Sequence, residues 1–327
     1  MTVIQKTVIQ KAVIGKTVVL TGASRGIGLE ISRCFAQQGA NLIGIARSHA
    51  RLESWASEMA QWGIQAQGIA FDLTQIDRLC ELSSQIEQCA QSISGNAQID
   101  ILINNAGIEI YRAFRDYDPQ EIEQIVQVNL LAPMALTQRL LPIFSVNGHI
   151  VNIASLAGKK GHPYDSAYAA SKAGLLMWSH SLRQEMAVSK TTGSKTVGSK
   201  TVGSKTAGSK TADSQVAQAQ TAVSVICPGY VTDLGMLRDT GIEAPLLAGR
   251  SRAQDVAYAV LKAVVHKRSE VIVNQNYPLA VATRLQLAIE QLFPSLGDFS
   301  NRLLGITRLN QQRIKPAEHS IYPHANH

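Results

Sequence analysis

The sequence is poor in cysteine, and the few cysteines suit neither a metal site nor a disulfide framework. Four occur among 327 residues, at positions 34, 80, 89 and 227, and none shows the close spacing of zinc ligands. Three of them, Cys34, Cys80 and Cys89, fall within helical patterns. We therefore expect free thiols in a reducing compartment, which favours a cytoplasmic protein with no bound metal.

Long apolar runs are also absent, so the sequence contains no candidate transmembrane segment. The apolar stretches at the start are interrupted by Lys6 and Lys11, which makes a signal peptide a poor interpretation. An amphipathic helix is predicted over 279–293, but Arg284 and Glu290 interrupt it and it is too short to span a bilayer. We expect this helix to cover the substrate pocket or an oligomer interface; peripheral membrane contact is the less favoured alternative.

The folded part of the chain lacks a basic surplus, although the net charge is +7. Residues 1–16 contain three lysines and no acid, and residues 189–215 contain five lysines against Asp213, so these two segments account for the whole surplus. The rest of the chain is neutral overall. A nucleic-acid partner is therefore not expected.

Both basic segments are five-residue repeats, and they define the predicted domain organisation. Residues 1–15 form a tail that precedes a catalytic domain over 16–275, and residues 276–327 form a helical extension and tail. The Gly-Ser-Lys-Thr-Val/Ala repeat over 189–215 interrupts the domain between a helix and a strand, at the edge opposite a ligand crevice. We expect an inert, flexible insertion there, with an interaction tail as the alternative.

The remaining chain alternates short apolar runs with helical patterns, which indicates an α/β fold. Strands are predicted over 17–20, 41–46, 65–70, 99–104, 148–154, 222–227 and 270–274, and helices over 29–38, 49–62, 75–92, 119–144, 166–188 and 251–266. This order predicts a single-domain, doubly wound parallel sheet of about seven strands, with helices on both faces and a helical extension at the C-terminus. Within helix 119–144, Pro133 cannot donate to the carbonyl of Asn129, so a distortion is predicted there. Ser251 and Gln254 have the spacing of a capping box at the start of helix 251–266.

A hydroxyl, a phenol and an amine are predicted to meet in one cleft. Ser155 ends the apolar strand 148–154, and Tyr168 and Lys172 lie one helical turn apart on the helix that follows. A nearby ammonium favours the phenolate and would lower the pKa of Tyr168, which makes Tyr168 a candidate proton donor or acceptor. The pair alone is weak evidence, because Tyr and Lys at helical spacing are common on protein surfaces.

A cofactor motif upstream strengthens this interpretation. Residues 21–28, Thr-Gly-Ala-Ser-Arg-Gly-Ile-Gly, lie between a strand and a helix, where glycines let a pyrophosphate approach the helix N-terminus. Asn-Asn-Ala-Gly follows a second strand at 104–107, and Tyr168 lies thirteen positions after Ser155. With Asn129 and Pro228-Gly229, these motifs resemble the short-chain dehydrogenase/reductase family, a family of Rossmann-fold NAD(P)-dependent oxidoreductases, over about residues 16 to 275.

The resemblance implies a role for each catalytic candidate. Tyr168 would exchange a proton with the carbonyl oxygen or alcohol, and Ser155 would polarise the carbonyl. Lys172 would lower the pKa of Tyr168 and hold the nicotinamide ribose. The backbone carbonyl of Asn129 would hold a water that links Lys172 to solvent.

The second strand ends without a carboxylate, and this favours NADP(H) over NAD(H). Family members that prefer NAD(H) have an acid there, whereas this chain has Arg47, and Arg25 lies in the glycine turn on the same side. Two arginines and no acid suit a 2′-phosphate. The predicted cofactor-binding residues are Gly22, Ser24, Arg25, Gly26, Ile27, Gly28, Arg47, Asp72, Leu73, Asn105, Ala106, Gly107, Tyr168, Lys172, Pro228, Gly229, Val231 and Thr232.

The sequence thus predicts an NADPH-dependent oxidoreductase that reduces a carbonyl or oxidises the alcohol. The apolar residues of the extension favour a lipophilic small-molecule substrate. A homodimer or homotetramer is expected through helices 119–144 and 166–188, as the resemblance implies. The alternatives are a catalytically silent NAD(P)-binding regulator or scaffold, and a 3-oxoacyl thioester reductase.

Overall fold

The computed structural model describes residues 12–192, 221–234, 249–274 and 277–314, and within them a parallel sheet forms the centre of the molecule. Its seven strands are β1 (Thr17–Thr21), β2 (Asn41–Ala46), β3 (Ala66–Ala70), β4 (Ile99–Asn104), β5 (Phe144–Ile153), β6 (Ala222–Pro228) and β9 (Glu270–Val273). The strand order β3-β2-β1-β4-β5-β6-β9 confirms the predicted doubly wound α/β fold. Two short strands, β7 (Tyr230–Val231) and β8 (Arg250–Ser251), pair apart from the main sheet.

Helices follow the strands and end in a C-terminal extension. They are α1 (Gly26–Ala36), α2 (His49–Ala60), α3 (Leu79–Ser94), α4 (Pro119–Val126), α5 (Ala132–Leu140), α6 (Ser166–Thr192), α7 (Ala253–His266), α8 (Tyr277–Leu292), α9 (Pro294–Leu303) and α10 (Ile306–Gln312). No helix in the described ranges is long and apolar enough to cross a membrane. Most of the N-terminal tail, most of the repeat insertion, residues 235–248 and the chain beyond 314 lie outside the described residues.

The sheet is buried on both faces, which explains the continuous apolar runs in its strands. On one face, α1, α2 and α7 contribute Phe35, Trp55 and Val260 to a core packed against β1 and β4. On the other face, α3 and α5 contribute Leu82 and Leu136 to a second core. The carboxyl ends of the strands, where the predicted site residues lie, are thereby held by packing on both sides.

The helix predicted over 119–144 is divided into shorter pieces. After α4 the chain forms a π-helical turn, Gln127–Leu131, then α5, then a 3₁₀ turn, Leu141–Ile143. The distortion predicted near Asn129 and Pro133 is present, but the helix ends at Leu140 rather than at residue 144. The physical reason is that Phe144 already pairs with Ile99 of β4, so β5 begins four residues earlier than predicted.

The predicted capping box at Ser251 and Gln254 is wrong by one residue. Ser251 belongs to β8, and α7 begins after Arg252, whose backbone N–H donates to Asp255 Oδ2 at 3.0 Å. Asp233 Oδ1 accepts from the N–H of Ala253 at 2.9 Å. Two carboxylates therefore satisfy amides at the start of this helix.

His149 is a core residue of β5, as the sequence indicates, and it should make the fold sensitive to acid. Ser224 Oγ donates its hydrogen to the carbonyl of Arg268 at 2.5 Å. In its contact with His149 Nε2, at 2.7 Å, Ser224 Oγ is therefore the acceptor and Nε2 the donor. Burial lowers the pKa of His149 to about 4. The folded protein thus holds this imidazole neutral where the unfolded chain protonates it.

We expect the free energy of unfolding to fall as the pH decreases from about 6.5 to 4, because in that window the unfolded chain binds a proton that folded His149 does not. The effect of His149 alone should lower the free energy of unfolding by on the order of 3 kcal/mol at pH 4. Urea unfolding at several pH values would measure the slope, which His149→Gln should reduce. His49→Gln is the matched control, since the side chain of His49 is 77% exposed. An unchanged slope in His149→Gln would exclude this residue as a source of acid sensitivity.

Candidate active site

A cleft of about 730 Å³ lies at the carboxyl ends of the strands. Its lining includes most of the predicted site residues, namely Gly22, Ser24, Arg25, Gly26, Ile27, Gly28, Arg47, Asp72, Leu73, Asn105, Ala106, Gly107, Ser155, Tyr168, Lys172, Pro228, Gly229 and Val231. Asn129 and Thr232 are not among the lining residues. Thr232 instead donates its backbone N–H to Ser251 at 3.1 Å and so joins the Pro-Gly loop to β8.

The glycine turn after β1 has a shape that side chains would prevent. Gly22 has a φ of +69° and Gly26 a φ of +56°, in the left-handed region that favours glycine. A Cβ at Gly28 would lie 2.0 Å from the carbonyl oxygen of Gly22. The first turn of α1 contains no acid, and the side chain of its N-cap residue makes no capping bond. Its N-terminus therefore suits the negative charge of a pyrophosphate.

The Asn-Asn-Ala-Gly loop fastens this turn to β4. Thr21 Oγ1 accepts from the backbone N–H groups of Asn105 and Ala106, each at 3.0 Å. The side-chain amide of Asn105 donates to the carbonyl of Thr21 at 2.9 Å. These bonds hold two loops in one rigid wall of the cleft.

Three exposed arginines, Arg25, Arg47 and Arg51, line the part of the cleft near the end of β2. The sequence analysis missed Arg51, although it follows Arg47 by four residues in the first turn of α2. Among the described lining residues the acids are Asp72 and Glu109, and Asp72 Oδ1 accepts two hydrogen bonds from Thr74 at 3.0 Å. Cationic side chains dominate this end of the cleft.

Ser155, Tyr168 and Lys172 come together where β5 meets α6. Ser155 Oγ accepts from the N–H of Ala157 at 3.1 Å, and a hydrogen bond links Ser155 to Tyr168. Lys172 Nζ donates to the carbonyl of Ile153 at 2.8 Å and lies 5.7 Å from the centre of the Tyr168 ring. Gly158 makes this approach possible, because a Cβ there would lie 2.6 Å from the backbone of Lys172.

The pKa of Tyr168 shifts in the direction opposite to the sequence expectation. Burial raises it well above its ordinary value, the charges of Glu109 and Asp165 raise it further, and the bond to Ser155 opposes them. Burial also lowers the pKa of Lys172 to about 8. Desolvation thus disfavours the charged form of Lys172, and its amine donates to a backbone carbonyl. The raised pKa of Tyr168 keeps its phenol protonated at neutral pH.

Asn129 is buried and forms hydrogen bonds with the loop at Ile108, which lines the cleft. Its side chain accepts from the N–H of Ile108 and donates to the carbonyl of Ile108, both at 2.8 Å, and it also donates to Ser171 Oγ at 3.0 Å. Gly107 lies between Asn129 and Lys172, since a Cβ at Gly107 would be 3.2 Å from Asn129 Oδ1 and 3.3 Å from Lys172 Nζ. The water-holding role expected of the Asn129 carbonyl stays a prediction.

Four further polar residues line the cleft that were not assigned to the site from the sequence: Glu109, His162, Tyr230 and Arg313. The sequence gives no local signal for Glu109 or Arg313, and it favoured a loop role for His162. Burial lowers the pKa of His162 to about 4, so its ring is neutral. Its Nε2 lies 3.0 Å from Tyr230 Oη, and its Nδ1 lies 3.2 Å from both Asn310 Nδ2 and Asp165 Oδ2.

None of the apolar residues predicted for the C-terminal extension is among the described lining residues of the cleft. Leu287 packs against β6 and β9, but Leu285, Ile289, Leu292 and Phe293 are exposed on α8 and just after it. The lipophilic substrate expected from these side chains stays a prediction. An amphipathic pattern identifies two faces of a helix without showing which face turns toward a ligand.

Comparison with known proteins agrees with this geometry. The family model described as short chain dehydrogenase matches residues 16–197. Ketoacyl reductase HetN from Nostoc sp. is 42% identical over 301 residues, covering 91% of this chain and 92% of the relative. Dehydrogenase/reductase SDR family member 7B from Bos taurus is 32% identical over 284 residues, covering 82% and 76%. The crystal structure of a metagenomic short-chain oxidoreductase in complex with NADP has a TM-score of 0.60 at 27% identity, covering 81% of this chain and 100% of that one.

Proposed function

Because this chain belongs to the short-chain dehydrogenase family, we propose that it is an NADPH-dependent reductase of 3-oxoacyl compounds. The chain is an NAD(P)-dependent oxidoreductase. Beyond this, we propose its preference for NADPH, its 3-oxoacyl substrate class and the role of each residue. The observation that carries it is the meeting of Ser155, Tyr168 and Lys172 in the cleft that also contains the glycine turn. A nicotinamide cofactor, when bound, supplies the hydride for this chemistry.

The proton comes from Tyr168. Its raised pKa keeps the phenol protonated, which suits a general acid that donates to a carbonyl oxygen as negative charge develops there. The hydroxyl of Ser155 donates a second hydrogen bond to the same oxygen. Tyr168 is buried against apolar residues such as Ile125 and Ala157, which strengthens its interaction with a bound carbonyl.

Lys172 and Asn129 support Tyr168 from behind. The Lys172 ammonium holds a cofactor ribose and favours negative charge on the Tyr168 oxygen after the proton has left. Asn129 fixes the loop at Ile108 and so holds Gly107 beside the amine of Lys172. We propose that a water on the Asn129 carbonyl links this amine to solvent and returns the proton.

Preference for NADPH rests on the cations near the end of β2. Arg25, Arg47 and Arg51 line the cleft, where they suit a 2′-phosphate of the adenosine ribose, and no acid follows β2 to bind a ribose diol. The metagenomic relative contains NADP in its crystal structure, which supports the same choice.

Arg47→Ala should weaken NADPH selectively. Loss of one charge-assisted hydrogen bond to the 2′-phosphate predicts a KM for NADPH raised about tenfold to a hundredfold, with the KM for NADH nearly unchanged. Steady-state kinetics with both cofactors would measure this, and Arg139→Ala, an exposed arginine on α5, serves as the control. Equal effects on NADPH and NADH would contradict the proposed phosphate contact.

The substrate class rests on the ketoacyl reductase name of the 42% identical relative, whose length this chain matches almost fully. The test is NADPH oxidation by the purified chain with acetoacetyl-CoA, longer 3-oxoacyl thioesters and simple ketones. Fastest turnover with the thioesters supports the proposal. Cofactor binding without reduction of any carbonyl would favour the silent regulator instead.

We also propose a cytoplasmic homo-oligomer formed through α4, α5 and α6. Leu131 and Met134, at the π-helical turn and on α5, and Met177 on α6 are exposed apolar side chains suited to an interface between two copies. Sedimentation velocity would distinguish a dimer or tetramer from a monomer.

A further inference from the structure

The C-terminal extension packs against the loop that precedes Tyr168. Asn301 Nδ2 of α9 donates to the carbonyl of Gly161 at 2.9 Å, and Asn310 Nδ2 of α10 donates to the carbonyl of Pro163 at 2.9 Å. Tyr230 Oη donates to Asn310 Oδ1 at 3.2 Å, which closes a ring of hydrogen bonds through His162. The end of the described chain is therefore fixed beside the cleft, against the loop that precedes Tyr168.

Arg313, directly after α10, reaches the cleft itself. Its side chain is only 2% exposed and pairs with Glu109 Oε2 at 3.0 Å. The guanidinium lies 3.9 Å from the centre of the Tyr111 ring and donates to the Tyr111 hydroxyl, which donates to Glu109 Oε1 at 2.7 Å. Such an arginine is expensive to bury unless its donors are used.

One donor of this guanidinium has no partner in the described structure. Nε of Arg313 is buried without a hydrogen bond, although Arg313 is a lining residue of the cleft. An unsatisfied buried N–H is a costly arrangement that a bound acceptor would relieve.

The charge balance decides which acceptor fits. Glu109 already neutralises Arg313. Burial lowers the pKa of His162 to about 4, so His162 adds no positive charge. Burial and the charge of Glu109 raise the pKa of Asp165 well above its usual range, so further negative charge is disfavoured here. An additional anion would leave this buried group with excess negative charge, whereas the oxygen of an uncharged carbonyl would not.

We propose that Arg313 forms an oxygen-binding subsite for the second carbonyl of the substrate, the one that belongs to the thioester or ester of a 3-oxoacyl compound. The oxo group to be reduced lies at Tyr168, and the acyl carbonyl lies at the guanidinium of Arg313. This makes Arg313 a specificity-determining residue that selects 1,3-dicarbonyl compounds over simple ketones. The inference rests on the proposed function for the position of the reacting carbonyl.

A matched pair of substrates tests this subsite. Ethyl acetoacetate and 2-heptanone have main chains of equal length, but only the first has an acyl carbonyl for Arg313. In Arg313→Met, kcat/KM for ethyl acetoacetate should fall about tenfold to a hundredfold, since a charge-assisted hydrogen bond is lost, while kcat/KM for 2-heptanone stays nearly unchanged. Arg313→Lys should recover part of the loss, and Arg308→Met, an exposed arginine on α10, should match the wild type with both compounds.

An equal fall for both compounds would mean that Arg313 only anchors α10, and no fall for either would exclude any role. If Arg313→Met does not fold, the same comparison is made with Arg313→Lys, which keeps the charge but loses the planar fork.

Failure of the proposed function is distinguished by a binding measurement. If the wild type reduces neither compound, calorimetric titration of the NADPH-bound protein with ethyl acetoacetate still tests the subsite. Tighter binding to the wild type than to Arg313→Met would support it, and equal or undetectable binding would overturn it.

Discussion

Replacing Tyr168 with phenylalanine should lower kcat by about a hundredfold to ten-thousandfold, because the variant lacks the hydroxyl that we propose donates the proton to the carbonyl oxygen. The ring is retained, so the packing around α6 should persist and the affinity for NADPH should change little. Single-turnover oxidation of bound NADPH would measure the chemical step directly. This is the largest effect on rate that we expect from a change of one atom.

The matched control is Tyr258→Phe, which removes the same hydroxyl from α7, outside the lining of the cleft. It should leave kcat unchanged. Thermal unfolding of both variants would show whether the fold is kept. If Tyr168→Phe reduced carbonyls at the wild-type rate in a folded state, Tyr168 would not be the proton donor.

Gly28→Ala should abolish tight cofactor binding and destabilise the fold. The new methyl group would lie 2.0 Å from the carbonyl oxygen of Gly22 and 2.7 Å from the side-chain amide of Asn105, so α1 must move away from the turn. Overpacking of this kind costs about 1 to 3 kcal/mol of stability. Urea unfolding and titration of NADPH fluorescence would measure the two effects.

Gly161→Ala provides the comparison, because a Cβ at Gly161 meets nothing within 4 Å and its φ is ordinary. It should keep both stability and NADPH affinity. Wild-type affinity in Gly28→Ala would show that the close contact between Gly28 and Gly22 is not needed for the cofactor.

The parts that could be predicted from the sequence depend on short-range patterns. Buried parallel strands require continuous apolar residues, so the sheet and its carboxyl ends are visible in the sequence, and with them the positions of Ser155 and Tyr168. The glycine turn is visible because only glycine permits its backbone. The early start of β5 was missed because it depends on pairing between Phe144 and Ile99.

The parts that could not be predicted depend on contacts between distant residues. The spacing of Tyr168 and Lys172 places an ammonium one helical turn away, and it therefore predicts a lowered pKa. Burial and the charge of Glu109, which raise that pKa, arise only when the loops and the sheet are assembled. Arg313 follows Tyr168 by so many residues that no local pattern connects it to the cleft.

The most direct test of the account is hydride transfer to a 3-oxoacyl thioester from NADPH that carries deuterium at both positions of the reactive nicotinamide carbon. We predict a 3-hydroxyacyl thioester that contains one deuterium, at the carbon that carried the oxo group, for each NADPH oxidised. A product without deuterium, or oxidation of NADPH with no hydroxyacyl product, would contradict the account.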